Sequence, residues 1–379
     1  MEKNLHIVCL DIPYPPDYGG LFDLYYKLRY LKENGVNIHL HCFFKRYAEQ
    51  KDLLRYCKTV HYYKRATGWS SFSLHIPYIV NSRSDKQLLE NLSEDNYPVL
   101  LEGIHCTKLL YENKLSDRTV VLRLHNIEFD YYAQLAQKAT HVFKKLYYSH
   151  ESRLLKKYEK KIALSADAIV CVSTRDAEQY KKLFNIHNVS HLPVFVPWQK
   201  VKSKQGSGSY CLYQGNLSVI ENEIAATWLV QNVFHNLNIP FTIAGKNPST
   251  QLKKIISANP YVSLVESPSA EKMEELIANA QINLLPSFST TGIKLKLLHA
   301  IFSGRHCIVN SDMVSGTGLE STCNIAETGI EFQNKIKELF HFPFTSAQIA
   351  IRQALLEKHY DNRRHALELT KIIYAGGSL

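Results

Sequence analysis

One segment in the second half of the chain decides the fold: residues 282–303 have the sequence INLLPSFSTTGIKLKLLHAIFS. It begins with a short apolar run that is typical of a buried strand, and residues 294–303 have the apolar spacing of a helix. A polar loop that contains Gly292 lies between them. Strands that alternate with helices in this way are typical of parallel sheets covered by helices. The segment therefore predicts an α/β fold.

The same alternation fills both halves of the chain and predicts two doubly wound, Rossmann-like domains that face a cleft. At 379 residues the chain is long for a single hydrophobic core. A polar stretch, residues 200–209, ends in Gly-Ser-Gly-Ser and is typical of a linker. The predicted domains are 1–197 and 198–359. In such folds ligands bind at the carboxyl ends of the strands, so the loops there are the first candidates for a site.

The predicted elements follow from these patterns. Strands are expected at 5–10, 37–43, 59–63, 99–102, 120–124, 168–173, 211–214, 241–244, 262–265, 282–285 and 306–310. Helices are expected at 21–33, about 131–165, 221–236, after Pro248, at 294–303, and from about 346 to 374.

The charge of the chain favours an anionic neighbour. Lysine and arginine number 45 against 35 acidic residues, and residues 1–200 alone hold 29 against 21. A membrane surface, a phosphate-bearing acceptor and a nucleic acid all fit this excess, and charge does not choose among them. The basic, tyrosine-containing stretch 143–161 predicts either contact with an anionic membrane or a solvated helix face whose Leu146, Leu154 and Ile162 lie in the core.

Cysteine usage and hydropathy predict the compartment. The eight cysteines include no CxxC pair, which favours buried, reduced thiols in the cytoplasm over zinc or disulfide use. No run of about 18 apolar residues is present, so no membrane span is expected.

Two loops of the first domain are candidate site elements. Gly19 and Gly20 end the loop after the first strand, where backbone N–H groups at a helix start can approach a phosphate. His125 follows the strand 120–124 directly, so it is expected at the edge of the sheet. A plain turn and an ordinary satisfied histidine are the alternatives.

Three loops of the second domain are more informative. Gly215 and Asn216 follow one strand, and Lys246 follows another. Thr291 and Gly292 precede the helix 294–303, whose free N–H groups can bind a diphosphate. Two lysines in its first turn, Lys294 and Lys296, oppose the helix dipole and suggest an anionic ligand, with a plain solvated face as the alternative.

These segments together resemble glycosyltransferase family 4. The resemblance covers nearly all of the chain in order: a Pro-Pro-x-x-Gly-Gly loop at 15–20, His125-Asn126-x-Glu128, the glycine loops at 215 and 245, the segment 291–296, and Ser-Gly-Thr-Gly-Leu at 315–319. It implies a GT-B fold in which the final helix, within 360–379, returns to the first domain.

The resemblance also implies an activity. The chain is expected to be a cytoplasmic, metal-independent hexosyltransferase that retains anomeric configuration, with no cofactor beyond its nucleotide-diphosphate sugar donor. The acceptor is expected to be a glycan or a lipid-linked acceptor in cell-surface polysaccharide biosynthesis. Apart from the resemblance, the basic stretch 143–161 leaves open a peripheral contact with the inner face of the membrane. No nucleic-acid partner is expected, because the sequence has no recognition motif for one. His125 and Glu128 take the catalytic positions, and the glycine and lysine loops bind the donor.

The chain departs from the family pattern at the donor site. Family 4 enzymes carry glutamate at both ends of an E-x7-E element, where this chain has Thr291 and His299. The resemblance then implies that His299 contacts the donor ribose or that the donor differs. Asn216 and Asn222 occupy the positions of the family's Arg–Lys pair, and Lys294 and Lys296 are expected to replace that charge. A sugar-nucleotide epimerase and a catalytically degenerate binding protein remain the alternatives.

Overall fold

The chain divides into two compact units in the computed structural model. Described residues are 2–16, 19–45, 49–139, 141–288 and 295–375. Among them, the first unit comprises 2–197 and 360–375, and the second comprises 198–288 and 295–359.

The first unit is built on a parallel sheet of seven strands in the order β3-β2-β1-β4-β5-β6-β7. The central strands are buried on both faces, as expected for a parallel sheet covered by helices. The strands are β1 Lys3–Cys9, β2 Val36–Phe44, β3 Thr59–Lys64, β4 Val99–Glu102, β5 Val120–Leu124, β6 Ala168–Cys171 and β7 Val189–His191. The helices are α1 Gly19–Glu33, α2 Tyr78–Asn81, α3 Lys86–Leu92, α4 Lys108–Tyr111, α5 Glu128–Lys138, α6 Val142–Ser165 and α7 Thr174–Phe184.

The second unit contains a parallel sheet of six strands in the order β10-β9-β8-β11-β12-β13. The strands are β8 Cys211–Gln214, β9 Phe241–Gly245, β10 Val262–Glu266, β11 Ile282–Leu285, β12 His306–Val309 and β13 Asn324–Ile325. The helices are α8 Ile220–Trp228, α9 Thr250–Ser257, α10 Ala270–Asn279, α11 Leu295–Ser303, α12 Ser311–Val314, α13 Gly329–Phe340 and α14 Ser346–His359.

The last helix, α15 Asn362–Tyr374, belongs to the first unit and contacts α1. Its buried side chains, including Ala366, Leu369 and Ile373, join the same core cluster as the inner residues of β1 and β2. Asn362 supports this packing because its amide accepts from the Val196 N–H at 3.0 Å and donates to the Val196 carbonyl at 2.7 Å. The final helix thus completes one face of the first sheet.

Two predicted helices have other bounds in the structure. The prediction of a single helix at 131–165 is wrong, because Ala139 and His141 have extended backbones and separate α5 from α6. The break lets α5 fold back on α6, where the Phe129 N–H donates to Glu159 at 2.8 Å. The helix expected at 221–236 is shorter in the structure. It consists of α8, which ends at Trp228, and a π-helical turn, Leu229–Val233.

No helix in the described part of the chain is both long and apolar enough to cross a membrane.

Candidate functional site

Five charged or ionisable side chains meet at the carboxyl edge of the first sheet. Asp23 and Lys27 project from α1, Glu102 ends β4, Arg123 lies in β5, and His125 follows β5 directly. Four of them are buried, whereas the His125 side chain is 17% exposed. We call this group the Asp23 cluster. Gly19 and Gly20 form the first turn of the helix that supplies two of its members.

Asp23 is the centre of the cluster. Its carboxylate accepts hydrogen bonds from Arg123 at 3.1 Å, from His125 Nε2 at 3.0 Å and from the Phe195 N–H at 2.8 Å, and it pairs with Lys27 at 2.9 Å. Burial by itself would raise the pKa of Asp23, but the charges of Arg123 and Lys27 hold that pKa well below its usual range. Asp23 is therefore an anion that fixes the orientation of the His125 ring.

Lys27 and Arg123 balance the charge of the two carboxylates. Lys27 Nζ also donates to Glu102 at 2.6 Å, and Arg123 donates to the carbonyl oxygens of Leu192 at 2.6 Å and Pro193 at 2.9 Å. Buried ions are tolerated when they are paired and hydrogen-bonded in this way. Removing one partner would leave a buried charge uncompensated.

The Asp23 cluster also contains a set of possible metal ligands. Among the described residues, Asp23, Glu102 and His125 offer ligand atoms within 4.8 Å of one another. The ammonium group of Lys27 contacts both carboxylates, so a metal ion would have to displace it. We therefore describe the cluster as a salt-bridge network and not as a metal centre.

The orientation of His125 has a chemical consequence. Because the Asp23 carboxylate can only accept, the hydrogen bond requires that His125 Nε2 carry a proton. In the neutral ring Nδ1 is then the hydrogen-bond acceptor. A histidine that is fixed in one tautomer and partly exposed can position a hydroxyl group or accept its proton.

Glu128, the second residue expected to be catalytic, lies at the start of α5 and is buried. Burial raises the pKa of Glu128 to about 7, although a hydrogen bond with Asn126 and the charge of Arg83 act in the opposite direction. No hydrogen bond or ion pair found among the described residues joins it to Asp23 or His125. A carboxyl group with this pKa can exchange a proton near neutral pH, which suits a general acid or base.

Replacing Glu128 by glutamine should change the pH dependence of stability. The pKa of Glu128 is about 7 when folded and 4.5 ordinarily, so between these values the folded chain retains a proton that the unfolded chain releases. The stability this proton provides is present below pH 4.5 and is lost as the pH rises through 7, by up to about 3 kcal/mol. Urea unfolding at pH 5 and pH 8 should show that Glu128→Gln gains stability over the wild type at pH 8. Parallel pH profiles would contradict the assignment.

The carboxyl edge of the second sheet brings two predicted loops into close contact. The Gly215 N–H donates to the Ala244 carbonyl at 3.1 Å, and the Leu217 N–H donates to the Lys246 carbonyl at 3.0 Å. A Cβ atom on Gly245 would lie 2.0 Å from the Gly215 oxygen, which is shorter than any normal contact. Glycine at 245 is therefore required for the two loops to pack.

Lys296 joins these loops from α11. Its ammonium group donates to Asn222 Oδ1 at 2.9 Å and to the Tyr213 hydroxyl at 3.3 Å, and it lies 5.1 Å from the centre of the Tyr213 ring. The Asn222 amide in turn donates to the Asn216 carbonyl at 2.9 Å. Burial raises the pKa of Tyr213, so its hydroxyl group is neutral. We call Tyr213, Asn216, Asn222 and Lys296 the Lys296 cluster.

The Lys296 cluster brings together several residues singled out in the sequence. Lys296 donates a hydrogen bond to Asn222, which in turn donates to the backbone carbonyl of Asn216. Asn216 and Asn222 are the two positions at which the family pattern has basic residues. Gly215 lies between Tyr213 and Asn216 in the chain, and a Cβ atom on it would lie 3.2 Å from Asn222. The positive charge of Lys296 and the loop that contains Gly215 thus lie together at the carboxyl end of β8.

The other residues expected to bind the donor lie outside the Lys296 cluster or outside the described residues. Lys246 has an exposed side chain beside the Gly215 loop. His299 hydrogen-bonds Glu274 of α10 and packs 5.3 Å from the Trp198 ring, so its contacts differ from those of Lys296. That hydrogen bond, although opposed by burial, lowers the pKa of Glu274. The predictions for Thr291, Gly292 and Lys294 fall outside the described residues.

Known proteins resemble both the sequence and the fold. The family model described as "Glycosyl transferases group 1" matches residues 208–340. An uncharacterized 44.6 kDa protein in the cps region of Klebsiella pneumoniae is 30% identical over 329 residues, which cover 82% of this chain and 84% of that protein. The chain belongs to the group 1 glycosyltransferases. Its narrower placement in family 4 remains a prediction.

Solved structures agree with the predicted GT-B fold. A mutant of Staphylococcus aureus TarM has a TM-score of 0.68 at 8% identity, with 98% of this chain and 100% of that chain covered. Anabaena Alr3699/HepE has a TM-score of 0.67 at 9% identity with the same coverage. The pneumococcal O-GlcNAc transferase GtfA has a TM-score of 0.62 at 11% identity, with 100% of both chains covered. The α/β class with two parallel sheets is confirmed.

Proposed function

We propose that this group 1 glycosyltransferase moves a hexose from a nucleotide-diphosphate sugar to a glycan or lipid-linked acceptor, with retention of anomeric configuration. The observation that carries the proposal is the Lys296 cluster, in which the Lys296 ammonium group donates to Asn222 and Asn222 donates to the Asn216 carbonyl at the end of β8. Strand ends of this type are where α/β folds bind their ligands. The crystal structures of related fold contain UDP, with glucose in HepE and with GlcNAc in GtfA.

Lys296 would stabilise the leaving nucleoside diphosphate. Transfer breaks the bond between the anomeric carbon and the diphosphate oxygen, so negative charge accumulates on the diphosphate. A cation that is already held in place stabilises this charge without reorganisation, which is a major source of catalysis. The hydrogen bonds from Lys296 to Asn222 and Tyr213 provide that preorganisation. We propose that this cation serves the chemistry and that no metal or further cofactor is required.

His125 would orient the reacting sugar. Asp23 fixes its ring through Nε2, which leaves Nδ1 to contact a hydroxyl group of the donor or acceptor. Glu128 is the second proposed catalytic group because its pKa lies near 7. The proposed acid–base groups therefore belong to the first unit, and the proposed diphosphate-binding group belongs to the second.

The biological setting proposed is the synthesis of cell-surface polysaccharide at the cytoplasmic side of the membrane. The support is the relative from the cps region of Klebsiella pneumoniae. A solved structure of related fold is consistent with a glycan acceptor, because the TarM mutant was crystallised with fondaparinux and α-GlcNAc-glycerol as well as UDP.

A thermal-shift screen tests the proposal. The protein is heated with UDP, GDP, ADP, CDP or dTDP and with the corresponding nucleotide sugars, in EDTA and in magnesium. We expect one nucleotide series to raise the melting temperature in both buffers, by about 5–10 °C at 100 times its dissociation constant. A melting temperature unchanged by every diphosphate would contradict the proposal. Binding of nucleotide sugars without release of nucleoside diphosphate from any of them would favour the alternative of a catalytically degenerate binding protein. The absence of both E-x7-E glutamates is the reason for considering that alternative.

A further inference from the structure

The first turns of α6 expose large apolar side chains to solvent. Phe143 is 87% exposed, Val142 68% and Leu146 62%, and Tyr147 is also exposed. The alternative that Leu146 lies in the core is therefore wrong, although Ile162 of the same helix is fully buried. Contiguous exposed apolar side chains are uncommon on proteins and usually mark an interaction surface.

The exposed charge of α6 is entirely positive. Glu151 and Glu159, its two acidic residues, are buried, and they accept hydrogen bonds from the N–H groups of Tyr78 at 2.9 Å and Phe129 at 2.8 Å. Burial raises the pKa of both carboxyl groups. All the basic residues of the helix are exposed, namely Lys144, Lys145, Arg153, Lys156, Lys157, Lys160 and Lys161.

The apolar and the basic residues share one face of the helix. Val142, Leu146, Arg153, Lys157 and Lys160 follow one another at steps of 4, 7, 4 and 3 residues, which keep side chains on the same side of an α-helix. The opposite side is buried against the rest of the first unit through residues such as Ile162. We call the exposed side the α6 face: apolar in its first turns and basic along the remainder.

We propose that the α6 face binds the surface of a membrane that contains anionic lipid. Apolar side chains flanked by lysines are the composition that inserts at the headgroup boundary, and basic residues along the same face attract lipid phosphates. A nucleic acid would engage the basic part but gives no role to Val142, Phe143 and Leu146. The proposal goes beyond the proposed sugar transfer and does not depend on the donor site.

Sedimentation with lipid vesicles tests the proposal on the full chain. The experiment compares vesicles of pure phosphatidylcholine with vesicles in which about 30% of the lipid is anionic phosphatidylglycerol. The wild type should partition to the anionic vesicles and lose binding as salt rises. Two variants remove the two parts of the α6 face. The triple variant is Val142→Ser with Phe143→Ser and Leu146→Ser, and the double variant is Lys157→Glu with Lys160→Glu. Each should bind the anionic vesicles at least about 10-fold more weakly than the wild type.

Matched variants control for general loss of apolar surface or charge. Leu74→Ser with Ile330→Ser and Phe342→Ser removes three other exposed apolar side chains, and Lys86→Glu with Lys114→Glu reverses two other exposed lysines. These controls should bind as the wild type does. Unchanged vesicle binding in both α6 variants, or wild-type binding to oligonucleotides but not to anionic vesicles, would overturn the proposal. The nucleotide-induced thermal shift, measured on the same variants, should be unchanged, which separates this result from failure of the donor site.

Discussion

Replacing Lys296 by methionine is expected to lower the affinity for the nucleoside diphosphate by about 10- to 100-fold, since a hydrogen bond to a charged group contributes roughly 1.5–3 kcal/mol. The ammonium group is held at the strand end by Asn222 and Tyr213, so it needs no rearrangement to meet a phosphate. Methionine preserves much of the side-chain length and should pack against the same Tyr213 ring. The loss should therefore appear in binding, and the melting temperature without ligand should change little.

Calorimetric titration of the wild type and the variant measures this effect. The control is Lys254→Met, which removes an exposed lysine from the last turn of α9 in the same unit. Its affinity should equal that of the wild type, because a solvated charge away from the ligand contributes little. Equal affinities for Lys296→Met and the wild type would remove Lys296 from the donor site.

Replacing His125 by alanine should lower kcat by about 100-fold or more, because positioned acid–base groups typically contribute 10²–10⁴-fold. Its side chain makes a hydrogen bond to Asp23, yet Asp23 keeps its pairs with Arg123 and Lys27 in the variant. The buried charges thus remain balanced, and the fold should survive. The effect should fall on kcat more than on KM, since the role assigned to His125 is in the reacting geometry.

Release of nucleoside diphosphate from the nucleotide sugar identified by thermal shift measures this second effect. His187→Ala is the matched control, because His187 is an exposed histidine of the same unit. It should turn over like the wild type. Undiminished turnover by His125→Ala, with the ligand-induced thermal shift intact, would end the role assigned to His125.

Much of the fold could be predicted because its strands are short, apolar and buried on both faces. The bounds predicted for Val99–Glu102, Val120–Leu124, Cys211–Gln214 and Ile282–Leu285 are confirmed. Strands β7 and β13 were not predicted, since two or three residues carry too little hydrophobic pattern. The break between α5 and α6 was missed because its cause is tertiary: the two helices pack on each other.

The partners of His125 could not be predicted from strand-end loops alone. Asp23 and Lys27 lie on the buried side of α1, among the apolar positions Leu24 and Leu28. An acid and a base four residues apart within an apolar stripe is a signal of a buried ion pair, and Glu102 at the end of an apolar strand is another. Asp23, Lys27 and Glu102 come close to Arg123 and His125 only because of the order of the strands in the sheet. The spacing of residues in the sequence does not determine that order.

The Lys296 cluster was predicted in part. Sequence patterns place Gly215, Asn216 and Lys296 at strand ends or at a helix start, but they do not reveal that Asn222 connects the lysine with the glycine loop. The contacts of His299 were not predicted from its position in the family pattern. Its hydrogen bond to Glu274 and its packing on Trp198 arise from α10 and from the start of the second unit, which the family pattern does not describe.

A crystal structure with the nucleoside diphosphate that raises the melting temperature most is the most direct test of donor binding by the second unit. We predict that diphosphate oxygens lie within hydrogen-bonding distance of Lys296 Nζ and next to the Gly215 turn. A diphosphate bound to other residues, with Lys296 still bonded to Asn222 and no phosphate nearby, would contradict the assignment.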